Sequence, residues 1–294
     1  MDTKIKVKEG FGLRNYLEQT FNYDDENLVS AYDELPLWSS VFGLLLLEKI
    51  RVRPNIKALD VGCGTGFPLL ELSQRFGSSC RFYGIDCWAG AVKRIKSKIK
   101  IYGLKNVSVV QGDAADMPFE DDYFDLVVSN LGINNFKDFD KVLNELYRVT
   151  KPGGQLAFTT NPPGTMNEFY VIFESVLLKQ NLYEETNRLR SHISQSRKSL
   201  NEITGLLKKT GFGKINTCES TYSMRFLDGG SFLNHYFIKL AFMGEWKSII
   251  SPRNLELVFN NLENELNLYA SKNGELKLSI PVVYIECEKL YDFR

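Results

Sequence analysis

A glycine-rich run contains the first residues whose types and spacing could serve chemistry. It reads Asp60-Val61-Gly62-Cys63-Gly64-Thr65-Gly66 and lies between an apolar segment and a helical pattern. Glycines allow the backbone to turn tightly and to approach a ligand without an intervening Cβ. The spacing is G-x-G-x-G, whereas dinucleotide-binding folds carry G-x-G-x-x-G, with the third glycine one position later. The run therefore predicts a nucleotide-type binding loop, and its spacing disfavours a dinucleotide oxidoreductase.

Two carboxylates follow the glycine run at the ends of the next apolar segments. Asp86 comes 20 residues after Gly66, and Asp113 ends the segment after that. An ionised carboxylate only accepts hydrogen bonds, so Asp86 could accept from both hydroxyls of a ribose and Asp113 from the exocyclic amine of adenine. Cys87 and Trp88 follow Asp86 directly and could pack on a purine face. We interpret Cys87 as a small buried apolar group rather than as a reactive thiol.

These side chains need a scaffold that brings the segment ends together. From about Ile56 to Thr160, short apolar runs alternate with helical patterns, which is typical of a doubly wound α/β fold with a mostly parallel sheet. The carboxyl ends of such strands open on one edge, where ligands bind. The predicted strands are 57–61, 81–85, 107–111, 124–129, 155–160, 214–220 and 281–288, and the predicted helices include 68–76, 89–102, 138–149 and 197–210. Residues 151–154, Lys-Pro-Gly-Gly, are predicted to form a turn.

The same segments carry a family resemblance. The runs ALDVGCGTGF, GDAADMPF, FDLVVSNLGINN and ELYRVTKPGGQLAF, with the acidic end of the second strand, resemble in order the motifs of class I S-adenosylmethionine-dependent methyltransferases. Within that class, the chain is most similar to the C-methyltransferases of ubiquinone and menaquinone biosynthesis. The resemblance implies a doubly wound, mostly parallel seven-stranded sheet with helical lid additions. It also implies S-adenosylmethionine as cofactor and S-adenosylhomocysteine as product.

The resemblance assigns a role to the residues of the glycine run. Gly62 and Gly64 would face the methionine part of the cofactor, and Gly66 belongs to the same binding loop. Asp60 would orient that loop or contact the methionine amino group, and a purely structural anchoring role for Asp60 stays open.

The resemblance also assigns roles at the next three strand ends. Asp86 would hold the ribose, Asp113 the adenine amine, and Ala114 would offer a backbone amide to the adenine ring. Asn130 or the adjacent carbonyl, with Leu131 beside it, would lie near the methionine amino group and the sulfonium.

Three blocks lie outside the strand–helix alternation. They are residues 1–50, which we predict to be an N-terminal helical lid segment, and two additions at about 162–195 and 225–273. The remaining chain, residues 51–294, would form the cofactor-binding domain, with the two additions as a substrate cap. The aromatic residues that could line the lid and the acceptor site are Tyr32, Trp38, Phe42 and Phe232.

A methyl acceptor needs placement more than activation. A sulfonium methyl is already a strong electrophile, so the protein mainly aligns the acceptor and excludes water. A general base is needed only for a protonated oxygen or a weakly acidic carbon. His235 flanks an apolar stripe that includes Phe232, Tyr236 and Leu240, and it could face a pocket or lie at a helix boundary. His235 and Tyr236 are the candidate catalytic residues, and the sequence offers no stronger base.

The amino-acid composition indicates which classes of partner the chain could bind. The 294 residues include 36 Lys and Arg against 36 Asp and Glu, so the basic excess that favours nucleic acid binding is absent from the whole chain. The lysines at 93–105 fit the solvated face of a helix. The five cysteines are scattered without a C-x-x-C pair, so neither a disulfide framework nor a metal site is expected. The longest apolar run, at 41–47, is too short to span a bilayer, and we expect a soluble cytoplasmic protein.

The acceptor itself is the open question at this level. We predict a small molecule, with RNA or protein as the alternative acceptor, and a cofactor-binding protein without turnover as the alternative function. Residues 161–164, Asn-Pro-Pro-Gly, resemble the signature of amino-directed nucleic-acid methyltransferases. That signature follows the fourth strand and ends in an aromatic residue, whereas here the run follows the fifth and ends in glycine. We therefore reject this run as a nucleic-acid methyltransferase signature. The sequence does not indicate an oligomeric state.

Overall fold

A seven-stranded sheet forms the centre of the computed structural model, which describes residues 15–34, 37–195 and 197–291. The strands are β1 Lys57–Val61, β2 Arg81–Asp86, β3 Val107–Gln111, β4 Phe124–Asn130, β5 Thr150–Thr160, β6 Phe212–Phe226 and β7 Leu276–Lys289. Their order in the sheet is β3-β2-β1-β4-β5-β7-β6. Strands β1 to β5 pair in parallel, and β7 pairs with β5 in the antiparallel direction. The predicted doubly wound, mostly parallel fold is confirmed.

The helices of the described residues follow the strands or fill the blocks between them. They are α1 Asn15–Glu18, α2 Glu26–Glu34, α3 Leu37–Lys49, α4 Leu69–Phe76, α5 Ala89–Ile101, α6 Phe139–Val149, α7 Asn167–Lys179, α8 Tyr183–Gln195, α9 Leu200–Thr210, α10 Gly229–Asn234, α11 Tyr236–Ala241, α12 Met243–Ile249 and α13 Leu255–Asn273. Two short 3-10 turns occupy Gly132–Asn135 and Pro252–Asn254.

The chain divides into two compact units. The sheet unit comprises Asn22–Thr165, His192–Ser223 and the chain from Ser279, and the helical unit comprises residues 15–21, Met166–Ser191 and Met224–Leu278. Most of both predicted additions therefore falls in the helical unit. The predicted N-terminal lid segment is divided, because α2 and α3 belong to the sheet unit. The assignment of these blocks as a cap stays a prediction.

Alternating residues on the central strands fill the two faces of the sheet unit. Ala58 of β1 packs in the cluster that contains Leu46 of α3 and Leu70 of α4. Its neighbour Leu59 packs in the opposite cluster, with Leu143 of α6. Successive side chains of a strand point to opposite faces, and a parallel sheet covered by helices on both faces is apolar throughout. The near-continuous apolar runs in the sequence follow from this double burial.

Several predicted boundaries differ from the structure, and two of the differences have a clear local cause. The helix predicted for 197–210 begins at Leu200, because Ser199 forms a capping box with Glu202 at its start. Gly211 ends the helix at φ 110°, as the sequence predicts. The predicted Lys-Pro-Gly-Gly turn lies within β5, where Gly153 has φ 75° and the register with β4 shifts. Strand β5 therefore contains Gly153, in its left-handed conformation, as a local irregularity.

The order of the strands reverses between β1 and β4, which places a crevice at their carboxyl ends. Ser129 near the end of β4 donates a hydrogen bond from Oγ to the Val61 carbonyl oxygen at 2.7 Å. A Cβ on Gly132 would lie 2.8 Å from that same carbonyl oxygen. Only glycine fits there, so the chain leaving β4 passes directly beside the glycine run that follows β1.

The helical unit has an aromatic core of its own. The Trp246 indole lies 4.2 Å from the Phe169 ring, centroid to centroid, and 5.8 Å from the Phe232 ring. Its Nε1 donates to the Tyr170 hydroxyl at 3.2 Å. Phe169, Phe232 and Trp246 have no exposed surface. The apolar stripe seen in the sequence is therefore largely the core of this unit.

Candidate active site

The glycine run forms a loop held to the neighbouring strand by backbone hydrogen bonds. The amides of Gly62 and Cys63 both donate to the Ile85 carbonyl oxygen, at 2.8 and 3.2 Å. Gly66 has φ 115°, and a Cβ there would meet Leu70 at 2.8 Å. Gly64 also has a positive φ, 51°, but a Cβ there would meet nothing within 4 Å. The loop is tightly packed at its end and open at Gly64, which leaves room for a ligand.

Asp86 closes the crevice at the end of β2. Its Oδ2 accepts from the Gly64 amide at 2.8 Å, and its Oδ1 accepts from the Trp88 amide at 2.8 Å. Each carboxylate oxygen has a second lone pair. The side chain is therefore anchored from both sides and can still accept from a hydroxyl pair such as that of a ribose.

Asp60 lies in β1 directly before the glycine loop and is fully buried. Neither of its carboxyl oxygens has a hydrogen-bond partner among the described residues. Burial, and after it the charge of Asp86, raise the pKa of Asp60 to about 8, and the Leu69 amide at the start of α4 opposes this only in part. Such an unsatisfied buried group is costly unless a ligand or water completes it.

The end of β3 supplies the next predicted residues. Asp113 is exposed, and its Oδ1 accepts from the Ala115 amide at 2.9 Å. Ala114 between them is 9% exposed. Cys87 is exposed, so the prediction that it is a buried apolar group is wrong. It follows the last residue of β2, where the Asp86–Trp88 hydrogen bond already turns the chain out of the sheet.

The end of β4 is held by side-chain hydrogen bonds and a strained backbone. The Asn130 amide donates to the Ser39 carbonyl oxygen at 3.0 Å and accepts from the Thr159 hydroxyl at 2.7 Å. Its side chain thus joins α3 to β5. Leu131 has φ 64°, a conformation that residues with a Cβ seldom adopt and that concentrates at functional sites.

Sequence reasoning missed a polar network beside this strand end. The side-chain amides of Asn134 and Asn161 meet at 2.6 Å, and Asn161 is 2% exposed. With its oxygen turned to the surrounding donors, the Asn161 amide accepts from Arg197 Nε at 2.8 Å. The residues come from three distant segments. In the sequence, Asn161 stands out only as part of the rejected Asn-Pro-Pro-Gly signature, and no spacing pattern links it to Arg197.

The N-terminal helices of the sheet unit supply the predicted aromatic residues. Tyr32 of α2 is half-buried, and its ring lies edge-on to the Trp88 ring at 5.4 Å. Burial, and after it the charge of Asp86, raise the pKa of Tyr32. Trp38 and Phe42 of α3 lie 5.8 Å apart, and Phe42 has no exposed surface. Contact between Phe42 and a substrate would require rearrangement.

The candidate catalytic residues lie in the helical unit, at the start of α11. His235 is the residue that precedes this helix, and its ring lies edge-on to Phe226 at 5.5 Å. Its Nδ1 is buried with no hydrogen-bond partner among the described residues. Burial, and then the charge of Lys239, lower the pKa of His235, so the imidazole is neutral at pH 7. Tyr236 packs edge-on against Phe21 at 5.7 Å. Phe232, predicted for the lid, is fully buried in the aromatic core.

The described residues contain no group of three or more His, Cys, Asp or Glu residues placed to hold a metal ion. None of the helices within them is both long and apolar enough to cross a membrane.

Comparison with known proteins gives matches at the level of family, sequence and fold. Residues 53–211 match the model of a family described as a methyltransferase domain. Demethylmenaquinone methyltransferases of Anoxybacillus flavithermus and Geobacillus stearothermophilus are 28% and 29% identical over 212 residues, which is 69% of this chain and 87% and 88% of theirs.

Solved structures share the fold at lower identity. The YcgJ protein of Bacillus subtilis superposes with a TM-score of 0.57 at 18% identity, over 86% of this chain and 99% of that one. Phosphoethanolamine N-methyltransferase 2 of Haemonchus contortus, solved in complex with S-adenosyl-L-methionine, gives 0.58 at 19% identity, over 97% of this chain and 61% of that one.

Proposed function

Because this chain belongs to the methyltransferase-domain family and is an S-adenosylmethionine-dependent methyltransferase, we propose that it methylates a small-molecule acceptor at the β1–β4 crevice. The match to the family model, the methyltransferase relatives and the similar solved structures confirm the family, the enzyme class and the cofactor that the motifs predict. The observation that carries the proposal is the convergence of Asp60, Gly64 and Asp86 on one crevice.

The residues around the crevice divide the cofactor between them. Asp86 accepts from the ribose hydroxyls, and Asp113 and Ala114 take the adenine edge at the end of β3. Gly62, Gly64 and Gly66 give the methionine part its close approach to the backbone.

At the sulfonium end, Asp60 would receive the methionine ammonium group, because a cation favours the ionised form of a buried carboxyl group without a partner. The Asn130 carbonyl and the strained backbone of Leu131 would lie beside the sulfonium. Cys87, which is exposed, would lie at the outer side of the adenine.

The acceptor is a small molecule, and a quinone-type ring is the first class to examine. The relatives named demethylmenaquinone methyltransferase support this choice at 28–29% identity. In the reaction, a new bond forms between the acceptor atom and the methyl carbon as the carbon–sulfur bond breaks. The acceptor loses a proton, and S-adenosylhomocysteine leaves as the neutral thioether. In-line alignment contributes about 7–11 kcal/mol to such a step.

His235 is the proposed general base for an acceptor that must lose its proton, with Tyr236 beside it. Its neutral imidazole and its unpartnered buried Nδ1 support this role. Residues 1–50, of which 1–14 and 35–36 lie outside the described residues, are proposed as the cap together with 162–195 and 225–273. Tyr32 and Trp38 would be its accessible aromatic residues, and the fully buried Phe42 and Phe232 would support it from within.

The test is methyl transfer from S-adenosylmethionine labelled in its methyl group. The purified chain is incubated separately with a reduced demethylmenaquinone analogue, phosphoethanolamine, bulk RNA and bulk protein. We expect label in a small molecule and none in the macromolecules. Label in RNA or protein would overturn the acceptor class. S-adenosylhomocysteine binding with no transfer to any acceptor would instead favour a protein without turnover.

A further inference from the structure

Helix α2 is tied to helix α5 by ion pairs at both of its ends. Near its start, Glu26 pairs with Lys93, and both side chains are more than 70% exposed. Near its end, the Asp33 carboxylate accepts from Arg94 Nε at 2.8 Å and from Lys98 Nζ at 2.7 Å. The Asp33 side chain is only 9% exposed. The two contacts thus differ sharply in burial.

The buried pair also reaches the glycine loop. Lys98 Nζ donates a second hydrogen bond to the Thr65 carbonyl oxygen at 3.0 Å. Burial alone would raise the pKa of Asp33, but the hydrogen bonds from Lys98 and Arg94 outweigh it and hold the pKa below its ordinary value. The carboxylate is therefore ionised at neutral pH, and one lysine joins α2 to the loop between Gly64 and Gly66.

The residue before Asp33 packs against the chain that leaves β2. Tyr32 packs edge-on against Trp88, and the Trp88 amide in turn donates to Asp86. The Trp88 indole Nε1 donates to the Tyr23 carbonyl oxygen, just before α2, at 2.8 Å. Helix α2 is thereby placed as a wall of the proposed cofactor site, and its position depends on what holds its last turn.

We propose that Asp33, with Lys98 and Arg94, is an ionic clip that positions Tyr32 and the glycine loop for cofactor binding. Asp33 is a positioning residue, because it acts through Tyr32 and Thr65 and does not itself contact the cofactor. The inference rests on the proposed cofactor site and adds the element that sets its shape.

The physical case depends on burial. Exposed ion pairs contribute little because water screens them and long side chains lose entropy on pairing. For a pair shielded from water, desolvation offsets much of the attraction, but removal of one partner is strongly destabilising because it leaves charges without compensation. Loss of Asp33 would leave Lys98 and Arg94 without their carboxylate, so the last turn of α2 would separate from α5.

The experiment compares two substitutions that remove the same charge from the same helix. Asp33→Asn breaks the buried clip, and Glu26→Gln breaks the exposed pair. Affinity for S-adenosylhomocysteine is measured by calorimetry, and the melting temperature is recorded for each variant. We expect Asp33→Asn to weaken binding by about tenfold, a size typical of coupling between residues in contact, because Tyr32 and the glycine loop lose their fixed positions. Glu26→Gln should leave the affinity within about twofold, because exposed ion pairs contribute little. Asp33→Glu should restore part of the affinity.

A double-mutant cycle with Tyr32→Ala separates positioning from general destabilisation. If Asp33 acts through Tyr32, the Asp33→Asn loss largely disappears in the Tyr32→Ala background, whereas Glu26→Gln stays additive. Equal losses in Asp33→Asn and Glu26→Gln, or a lower melting temperature with unchanged affinity, would overturn the clip. Failure of the unmodified chain to bind S-adenosylhomocysteine would instead contradict the proposed cofactor site.

Discussion

Replacing Asp60 with asparagine removes a carboxyl group that the fold buries completely without a hydrogen-bond partner among the described residues. Burial and the nearby charge of Asp86 raise the pKa of Asp60 to about 8 in the folded protein. In the unfolded chain, an aspartate ionises near pH 3.9. Between these values the folded state holds a proton that the unfolded state has released.

The sign and size of the effect follow from proton linkage. The folded state binds more protons, so the free energy of unfolding falls as pH rises, by about 1.4 kcal/mol per pH unit for one group. The stability that comes from the proton bound to Asp60 in the folded state is fully present below about pH 4, and it is lost as pH rises through about 8. Between pH 5.5 and 7.5, Asp60 therefore removes about 2.7 kcal/mol of stability that the asparagine variant keeps.

Thermal unfolding across this pH window measures the difference. The melting temperature of the unmodified chain should fall relative to Asp60→Asn by roughly 5–10 °C between pH 5.5 and 7.5. Asp125→Asn is the matched control. Burial would raise the pKa of Asp125, but a hydrogen bond from Lys151 and the Lys57 amide hold it below its ordinary value. The difference in melting temperature between Asp125→Asn and the unmodified chain should stay constant across this pH range, because the Asp125 carboxylate is ionised in both the folded and the unfolded state. Parallel curves for Asp60→Asn and the unmodified chain would refute the reasoning.

Three further substitutions test the proposed site. Asp86→Ala should lower S-adenosylhomocysteine affinity at least tenfold by calorimetry, because a charged acceptor is lost, and unchanged affinity in a folded variant would remove Asp86 from the site. Gly64→Ala and Gly103→Ala each place a Cβ at positive φ with nothing within 4 Å, so both should cost about 1 kcal/mol of stability, but only Gly64→Ala should weaken that affinity. His235→Ala should sharply reduce methyl transfer and leave cofactor affinity within about threefold, and a loss of thermal stability alone would make His235 an ordinary core residue.

The strands that carry the cofactor motifs could be predicted because burial on both faces leaves a strong apolar signal. The predicted bounds 57–61 and 107–111 match β1 and β3. The edge strand β6 was predicted as 214–220 but runs from Phe212 to Phe226. Its side chains are mostly exposed, so the sequence lacks the alternation that marks a half-buried strand.

Contacts between distant segments could not be predicted in the same way. Asp33 and Lys98 are 65 residues apart, and the lysines at 93–105 were interpreted as a solvated face. That interpretation fits the exposed Lys93 but not Lys98, which is 17% exposed. A helical pattern gives the spacing of the lysines, but it does not show which of them a second helix will cover.

The crevice carboxylates differ in how the fold restrains them, and this difference gives them different tasks. Asp86 accepts from two backbone amides, so its position is fixed before any ligand arrives. Asp33 forms ion pairs with Arg94 and Lys98, so its charge holds α2 against α5. Asp60 has no cation beside it in the part of the chain that the structure describes, and because its pKa is raised to about 8 it keeps its proton at neutral pH. A cation that enters beside Asp60 would favour the ionised carboxylate, and S-adenosylmethionine carries both an ammonium and a sulfonium. The buried Asp60 lowers the stability of the ligand-free protein, and a ligand that binds there only in the folded state would raise it again.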